Sequence, residues 1–192
     1  MDFEFLRNIE GGMDRGAVLE DLMQRYGGDV WRYAYFLTRR ADLSDDIAQE
    51  AFMKIYENLY SYRSEAAVKT WILTITRNVT IDFWRTAWLR KVLPSSKPPE
   101  RDSHPSAETE AMGRMDMDEL WKIVLNLPKK LREPLVLYAH HQLSMTEIAE
   151  MLQLSPNTVK SRLFRARAKV TAQVSQRDAG QDSKGANDDE TG

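Results

Sequence analysis

The chain contains no cysteine. That excludes a disulfide framework and any thiolate metal site, and it fits a reducing compartment. It has only three histidines. His140 and His141 are adjacent, so a helix sends them to different faces, and His104 lies among prolines. A metal centre or a hydrolytic enzyme is therefore poorly supported. No glycine-rich phosphate loop is present. No apolar run approaches the roughly 18 residues that a membrane span needs. The start, MDFEFLRNIEGGMDRG, carries acids at Asp2 and Glu4 and lacks the apolar stretch of a secretory leader. No strand pattern matches the strength of the helical ones, so the chain is expected to be all-α.

What is present fills 192 residues, enough for one sizeable domain or two small ones. The 27 Lys+Arg nearly balance 29 Asp+Glu, but the distribution is uneven. Between Asp178 and Glu190 lie five acids and one lysine, which offsets a strongly basic segment just before. A near-neutral total therefore does not exclude nucleic acid as a partner.

That basic segment is residues 144–170, SMTEIAEMLQLSPNTVKSRLFRARAKV. Ser144 and Glu147 have capping-box spacing. Ile148, Ala149, Met151 and Leu152 give a first short helix its apolar face. Ser155 suits an N-cap and Pro156 the first position of a second helix. There Val159, Leu163, Ala166 and Val170 form one stripe. Lys160, Arg162, Arg165, Arg167 and Lys169 lie off it, with no acid among them. This predicts a helix-turn-helix whose second helix enters a DNA major groove.

The rest of the chain supplies two small helical domains joined by a flexible linker, the second ending in that helix-turn-helix. Residues 1–14 are expected to be weakly ordered. The first domain, 15–91, opens with a pattern at Val18, Leu19, Leu22 and Tyr26. Gly27-Gly28 is expected to interrupt it before Val30, Tyr33, Ala34 and Leu37. Residues 41–43 read as a connection, and Ser44 as the cap of a helix over 45–60. That helix has Ile47, Ala51, Phe52, Ile55, Tyr56 and Leu59 inside and Asp45, Asp46, Gln49 and Glu50 outside. A polar loop, 61–67, precedes a long helix over 68–90. Its stripe is Trp71, Ile72, Ile75 and Val79, and its polar side holds Lys69, Thr70, Arg77, Asn78, Asp82 and Arg85. Residues 92–112 contain four prolines among polar residues and form the linker. In the second domain, 113–175, a helix with Leu120, Trp121 and Val124 stops at Pro128. The next spans 131–141, with Pro134 in or near its first turn. Residues 176–192 form an acidic, disordered tail.

Residues 44–85, SDDIAQEAFMKIYENLYSYRSEAAVKTWILTITRNVTIDFWR, closely resemble domain two of bacterial RNA polymerase sigma factors of the extracytoplasmic-function (ECF) group. Residues 127–170 resemble their domain four. The likeness covers roughly residues 15–172. The telling runs are Asp-Ile-Ala-Gln-Glu-Ala-Phe, Lys69-Thr70-Trp71, Arg77-Asn78 with Asp82 and Arg85, and Val159 to Leu163.

The resemblance implies a cytoplasmic sigma factor with no catalysis of its own and no cofactor. Its partners would be core RNA polymerase, promoter DNA and an anti-sigma factor, with no small-molecule substrate and no membrane insertion. Asp46, Gln49, Glu50 and Phe52 would dock on the polymerase's largest subunit, Phe52 sharing that role with core packing. Arg63, Ser64, Lys69, Asn78 and Arg85 would engage the −10 element. Asn157, Thr158, Lys160, Ser161, Arg162 and Arg165 would read the −35 element. Asp82 is within helical reach of both Arg77 and Arg85.

The chain departs from the family pattern at three points. Gln153 stands where the turn often has Gly. Val68 replaces a frequent aromatic. Thr86-Ala87-Trp88-Leu89 interrupts a basic run. The competing reading is a stand-alone helix-turn-helix regulator. It needs a dimerisation surface, which no heptad supplies, and it has no use for the 44–85 block.

Overall fold

In a computed structural model, the described residues are 14–62, 66–92 and 119–185, the side chains of Ser61, 87–92, Glu119 and 178–185 excepted. Among them all regular structure is helical: seven α-helices and one 3₁₀ turn. By their contacts they fall into two units, Met1–Met115 and Asp116–Gly192.

Asp14 begins the first unit. Its carboxylate accepts the Gly16 N–H at 2.8 Å and caps α1 (Arg15–Thr38). Helix α1 runs straight through Gly27 and Gly28, contrary to the expected interruption. Two interior glycines cost about 1 kcal/mol each relative to alanine. The apolar stripe nevertheless stays in phase across them, from Val18 and Leu22 through half-buried Tyr26 to Val30, Tyr33, Ala34 and Leu37. Each fully buried side chain contributes roughly 1.5–3 kcal/mol, so continuing the helix wins.

The turn out of α1 is shorter than expected. Arg39 adopts left-handed φ of 59° and donates its N–H to the Tyr35 carbonyl at 2.7 Å. The chain reverses at once, and α2 (Ala41–Asn58) already includes 41–43. Ser44 is therefore not a cap. It lies buried in the helix, and its hydroxyl donates to the Arg40 carbonyl at 2.6 Å. Tyr56, expected inside, is instead 38% exposed, with the Arg15 guanidinium over its ring at 4.3 Å. A 3₁₀ turn, Leu59–Ser61, follows.

Helix α3 (Val68–Val92) packs on both predecessors. Val68, Ile72 and Val79 join Val18, Leu22, Val30, Ala34, Ile47, Ala51, Phe52, Ile55 and Leu59 in one core, with Trp71 and Ile75 at its edge. Thr70, assigned to the polar side, is instead buried, as are Thr76 and Thr80. The hydroxyls of Thr76 and Thr80 donate to the Ile72 and Thr76 carbonyls at 2.9 and 2.8 Å, which satisfies them without leaving the helix. Residues 81–86 are all exposed, so this end of α3 projects beyond the core.

The second unit holds α4 (Glu119–Asn126), α5 (Lys129–Ala139), α6 (Met145–Leu152) and α7 (Pro156–Gly185). Helix α5 starts earlier than expected, which moves Pro134 into the second turn and inside the helix. Its ring removes one backbone bond, to Lys130. Pro134, Leu135, Val136 and Leu137 are all buried, and that packing holds the helix around the gap. Arg132 is buried too, and its guanidinium donates to the Leu125 and Leu127 carbonyls at 2.7 and 3.3 Å. It thereby satisfies the open C-terminal end of α4. His140 packs edge-on against Trp121 at 5.3 Å and against His141 at 4.8 Å, with His141 fully buried.

Both expected caps of the helix-turn-helix form. Ser144 and Glu147 make the capping box of α6, and the Ser155 hydroxyl accepts the Thr158 N–H at 3.1 Å. Val159, Leu163 and Ala166 are buried, and Val170 is half-buried. Gln153 has φ 54° and ψ 49°, the left-handed conformation anticipated from the glycine missing there. Its N–H reaches the Glu150 carbonyl, and that of Leu154 reaches Ala149 at 2.8 Å, so α6 ends in a Schellman arrangement. A non-glycine residue in this region costs about 1–2 kcal/mol. Gln153→Gly is accordingly expected to stabilise the second unit by about 1 kcal/mol. Chemical denaturation of the full chain measures this, and an unchanged or lower midpoint would refute strain at the turn.

Helix α7 continues to Gly185, overlapping the segment expected as a disordered tail. Its later turns lie against α4, where Gln173, Gln176 and Arg177 line a depression with Ile123 and Asn126. Residues 1–13, 93–118 and 186–192 lie outside the described residues, and with them most of the expected linker and terminal segments.

Candidate polymerase and nucleic-acid interfaces

Helix α2 presents one outward row. Asp46 and Gln49 are exposed and Glu50 is half-buried. Met53 continues them at i+7 and is 53% exposed. Met53 was not singled out from the sequence, although an apolar residue off the buried stripe was a usable signal. Phe52 does not join this row. At 7% exposure it belongs to the core shared by α1, α2 and α3. The register of the row is pinned by Trp31 on α1, whose indole N–H donates to Asp45 at 2.8 Å.

Between α2 and α3 lies a groove of about 550 Å³. Trp71, Ile75, Val79 and Phe83 form its apolar floor, and Glu50, Lys54, Asn78 and Asp82 stand on its rim. Glu57 bonds the Lys54 ammonium at 2.8 Å and holds its pKa above the usual lysine range. The groove brings Glu50 and exposed Asn78, residues assigned to different partners, to one depression. Trp71 is half-buried there and meets Tyr62 at 5.0 Å.

The other residues assigned to the −10 element are scattered along α3. Lys69 is 3.2 Å from Asp29 of α1. Arg85 is well exposed and pairs with Asp82 at 3.0 Å, which chooses Arg85 as the partner of that acid. Arg63 and Ser64 lie outside the described residues. The Tyr62 hydroxyl donates to the Ala66 carbonyl at 2.6 Å, tying together the two ends that flank them.

On α7, Asn157, Lys160, Ser161 and Phe164 follow each other at i, i+3, i+4 and i+7, so they share a face opposite the buried stripe. Arg165 is exposed beside them, and Arg162 is half-buried at the flank. Phe164 is 75% exposed, more than the other exposed large apolar side chains among the described residues. It was missed because helical periodicity only marks it as off the stripe. The Ser161 hydroxyl donates to the Thr158 carbonyl at 3.0 Å, and the Thr158 and Ser155 hydroxyls bond each other at 2.8 Å. Both hydroxyls are thus occupied within the helix. The side chains best placed to reach outward are Asn157, Lys160, Phe164 and Arg165. Arg167 lies over the Tyr138 ring at 5.0 Å.

An acidic row on α2 and a capped basic helix, α7, thus lie on separate helical units, and the comparisons with known proteins make this a promoter-recognition subunit. The Sigma-70 region 2 family matches residues 22–90, and the Sigma-70, region 4 family matches residues 117–170. The ECF RNA polymerase sigma factor SigM of Bacillus subtilis (strain 168) is 30% identical over 155 residues, covering 80% of this chain and 93% of its own. RNA polymerase sigma factor SigZ of the same organism is 32% identical over 152 residues, covering 79% and 84%. Among solved structures, CnrH in complex with the cytosolic domain of CnrY superposes with TM-score 0.60 at 22% identity, covering 87% of this chain and 92% of that one. The sigma factor RpoE from Bartonella quintana, solved with the anti-sigma factor NepR, superposes with TM-score 0.61 at 20% identity, covering 81% and 98%. These two share the fold. The chain belongs to the sigma-70 family of RNA polymerase sigma factors, and within it to the ECF group.

Proposed function

We propose that this sigma factor docks on core RNA polymerase through Asp46, Gln49, Glu50 and Met53 of α2. It contacts the −10 element through Arg63, Ser64, Lys69, Asn78 and Arg85, and the −35 element through the outward face of α7. The observation that carries the reading is the placement of an acidic row on one unit and, on the other, a capped basic helix with no acid from Pro156 to Arg177. Carboxylates on α2 can pair bidentately with arginines of a partner helix. Arginine and asparagine on α7 can bond base edges, while lysine positions on phosphate. Phe164 adds an apolar contact suited to a thymine methyl. Of the competing readings, a stand-alone regulator leaves the α2 row without a task.

The factor acts in the cytoplasm and performs no catalysis of its own, its task being to position and open promoter DNA. CnrH and the Bartonella RpoE were solved with partners, the cytosolic domain of CnrY and the anti-sigma factor NepR. A comparable inhibitor protein is proposed for this chain. Residues 15–91 form the core-binding and −10 domain, and 113–175 the −35 domain. In vitro transcription tests the reading: adding the chain to core polymerase should produce initiation at a defined site. No gain over core alone would overturn it.

A further inference from the structure

Both described cations assigned to −10 DNA are already engaged within the protein. The Lys69 ammonium lies 3.2 Å from Asp29, with side-chain exposures of 31% and 18%. The same Asp29 is 3.6 Å from Arg32, so it serves as an anionic node on α1. The Arg85 guanidinium lies 3.0 Å from Asp82 one turn back on α3. An acid N-terminal to a base within one turn is the favourable order on a helix. Each acid thus offsets part of the charge that a phosphate would otherwise meet. A phosphate binding Lys69 or Arg85 must displace the carboxylate or accept its repulsion.

We propose that Asp29 and Asp82 are built-in counter-anions that mask the −10 cations, so that the sigma factor holds single-stranded DNA weakly until other contacts hold the strand in place. This rests on the assignment of Lys69 and Arg85 to DNA. The physical scale agrees with such a role. The exposed Arg85–Asp82 pair is weak enough to exchange partners, while the half-buried Lys69–Asp29 pair is held more firmly. Each cation released adds about 0.7 to the salt dependence of single-strand binding. The mask lowers affinity without forbidding binding, and a phosphate held close by neighbouring contacts outcompetes it.

The test uses the full chain carrying Arg162→Ala and Arg165→Ala, so that α7 contributes little. Binding of a fluorescein-labelled single-stranded DNA of mixed sequence is followed by anisotropy over a range of salt. Asp29→Asn and Asp82→Asn together should tighten binding about three- to tenfold at low salt, steepen the salt dependence by roughly one, and lose the advantage at high salt. Far-ultraviolet circular dichroism confirms the fold, and Asp82→Asn alone, on the exposed end of α3, serves if the Asp29 variant is unstable. Unchanged or weaker binding by folded variants overturns the mask and makes the acids orienting groups. Lys69→Ala and Arg85→Ala separate the two ideas. If they weaken binding while the acid variants do nothing, only the mask fails. If they too change nothing, the assignment of these cations to DNA fails.

Discussion

Glu50→Arg should abolish polymerase-dependent transcription by this factor while leaving it folded and able to bind a −35 duplex. Glu50 is half-buried at the junction of the α2 row and the apolar groove. Its carboxylate is better shielded from solvent than that of Asp46, which is exposed. Its pairing with a partner cation is therefore stronger, and its reversal more damaging. Breaking a buried charge pair at an interface costs about 2–5 kcal/mol, so core association should weaken by at least about thirtyfold. Glu20→Arg, an exposed reversal on α1, is the comparison and should change little. Fluorescence titration of labelled factor with core polymerase reads the effect. Equal affinities for the two reversals would remove Glu50 from the docking surface.

The second large effect is expected at Arg165. It is exposed next to Phe164 and Ser161 on the outward face of α7, whereas Arg162 is half-buried at the flank. One bidentate base contact is worth about 1–3 kcal/mol, so Arg165→Ala should weaken binding to the −35 duplex by about five- to 150-fold. The loss should concentrate at one base pair. A loss spread evenly over all sequences, with the salt slope reduced by about one, would assign Arg165 to phosphate instead. Core association should be unaffected, since Arg165 lies in a different unit from the α2 row.

These two predictions draw on different depths of information. Glu50 was visible as an acid off the apolar stripe of α2, because a 3.6-residue period separates inside from outside directly. Its neighbour Phe52 was not settled that way. The same period leaves a large aromatic free to pack or to protrude, and only the packing of the three helices put the ring in the core. Met53 and Phe164 show the opposite limit. Both are apolar, and only the absence of a covering element shows them to be exposed.

Boundaries were less legible than faces. Ser44 had the chemistry of a cap, but a left-handed Arg39 reversed the chain four residues sooner and drew Ser44 into the helix. Gly27-Gly28 had the chemistry of a break, but the stripe on either side was in phase, and burial along one axis outweighed the glycine cost. Where caps were local and self-contained, as at Ser144, Glu147 and Ser155, the sequence predicted them correctly, since every bonding partner lies within four residues.

The sequence by itself determined the helical class, the helix-turn-helix with its strained turn at Gln153, and the family. Each depends on short-range periodicity, capping or contiguous motifs. Tertiary structure alone decided that Glu50 and Asn78 border one groove, that Lys69 meets Asp29 across two helices, and that Phe52 is inside. Those facts depend on how α1, α2 and α3 pack. Packing joins residues tens of positions apart, and no local pattern in the chain encodes it.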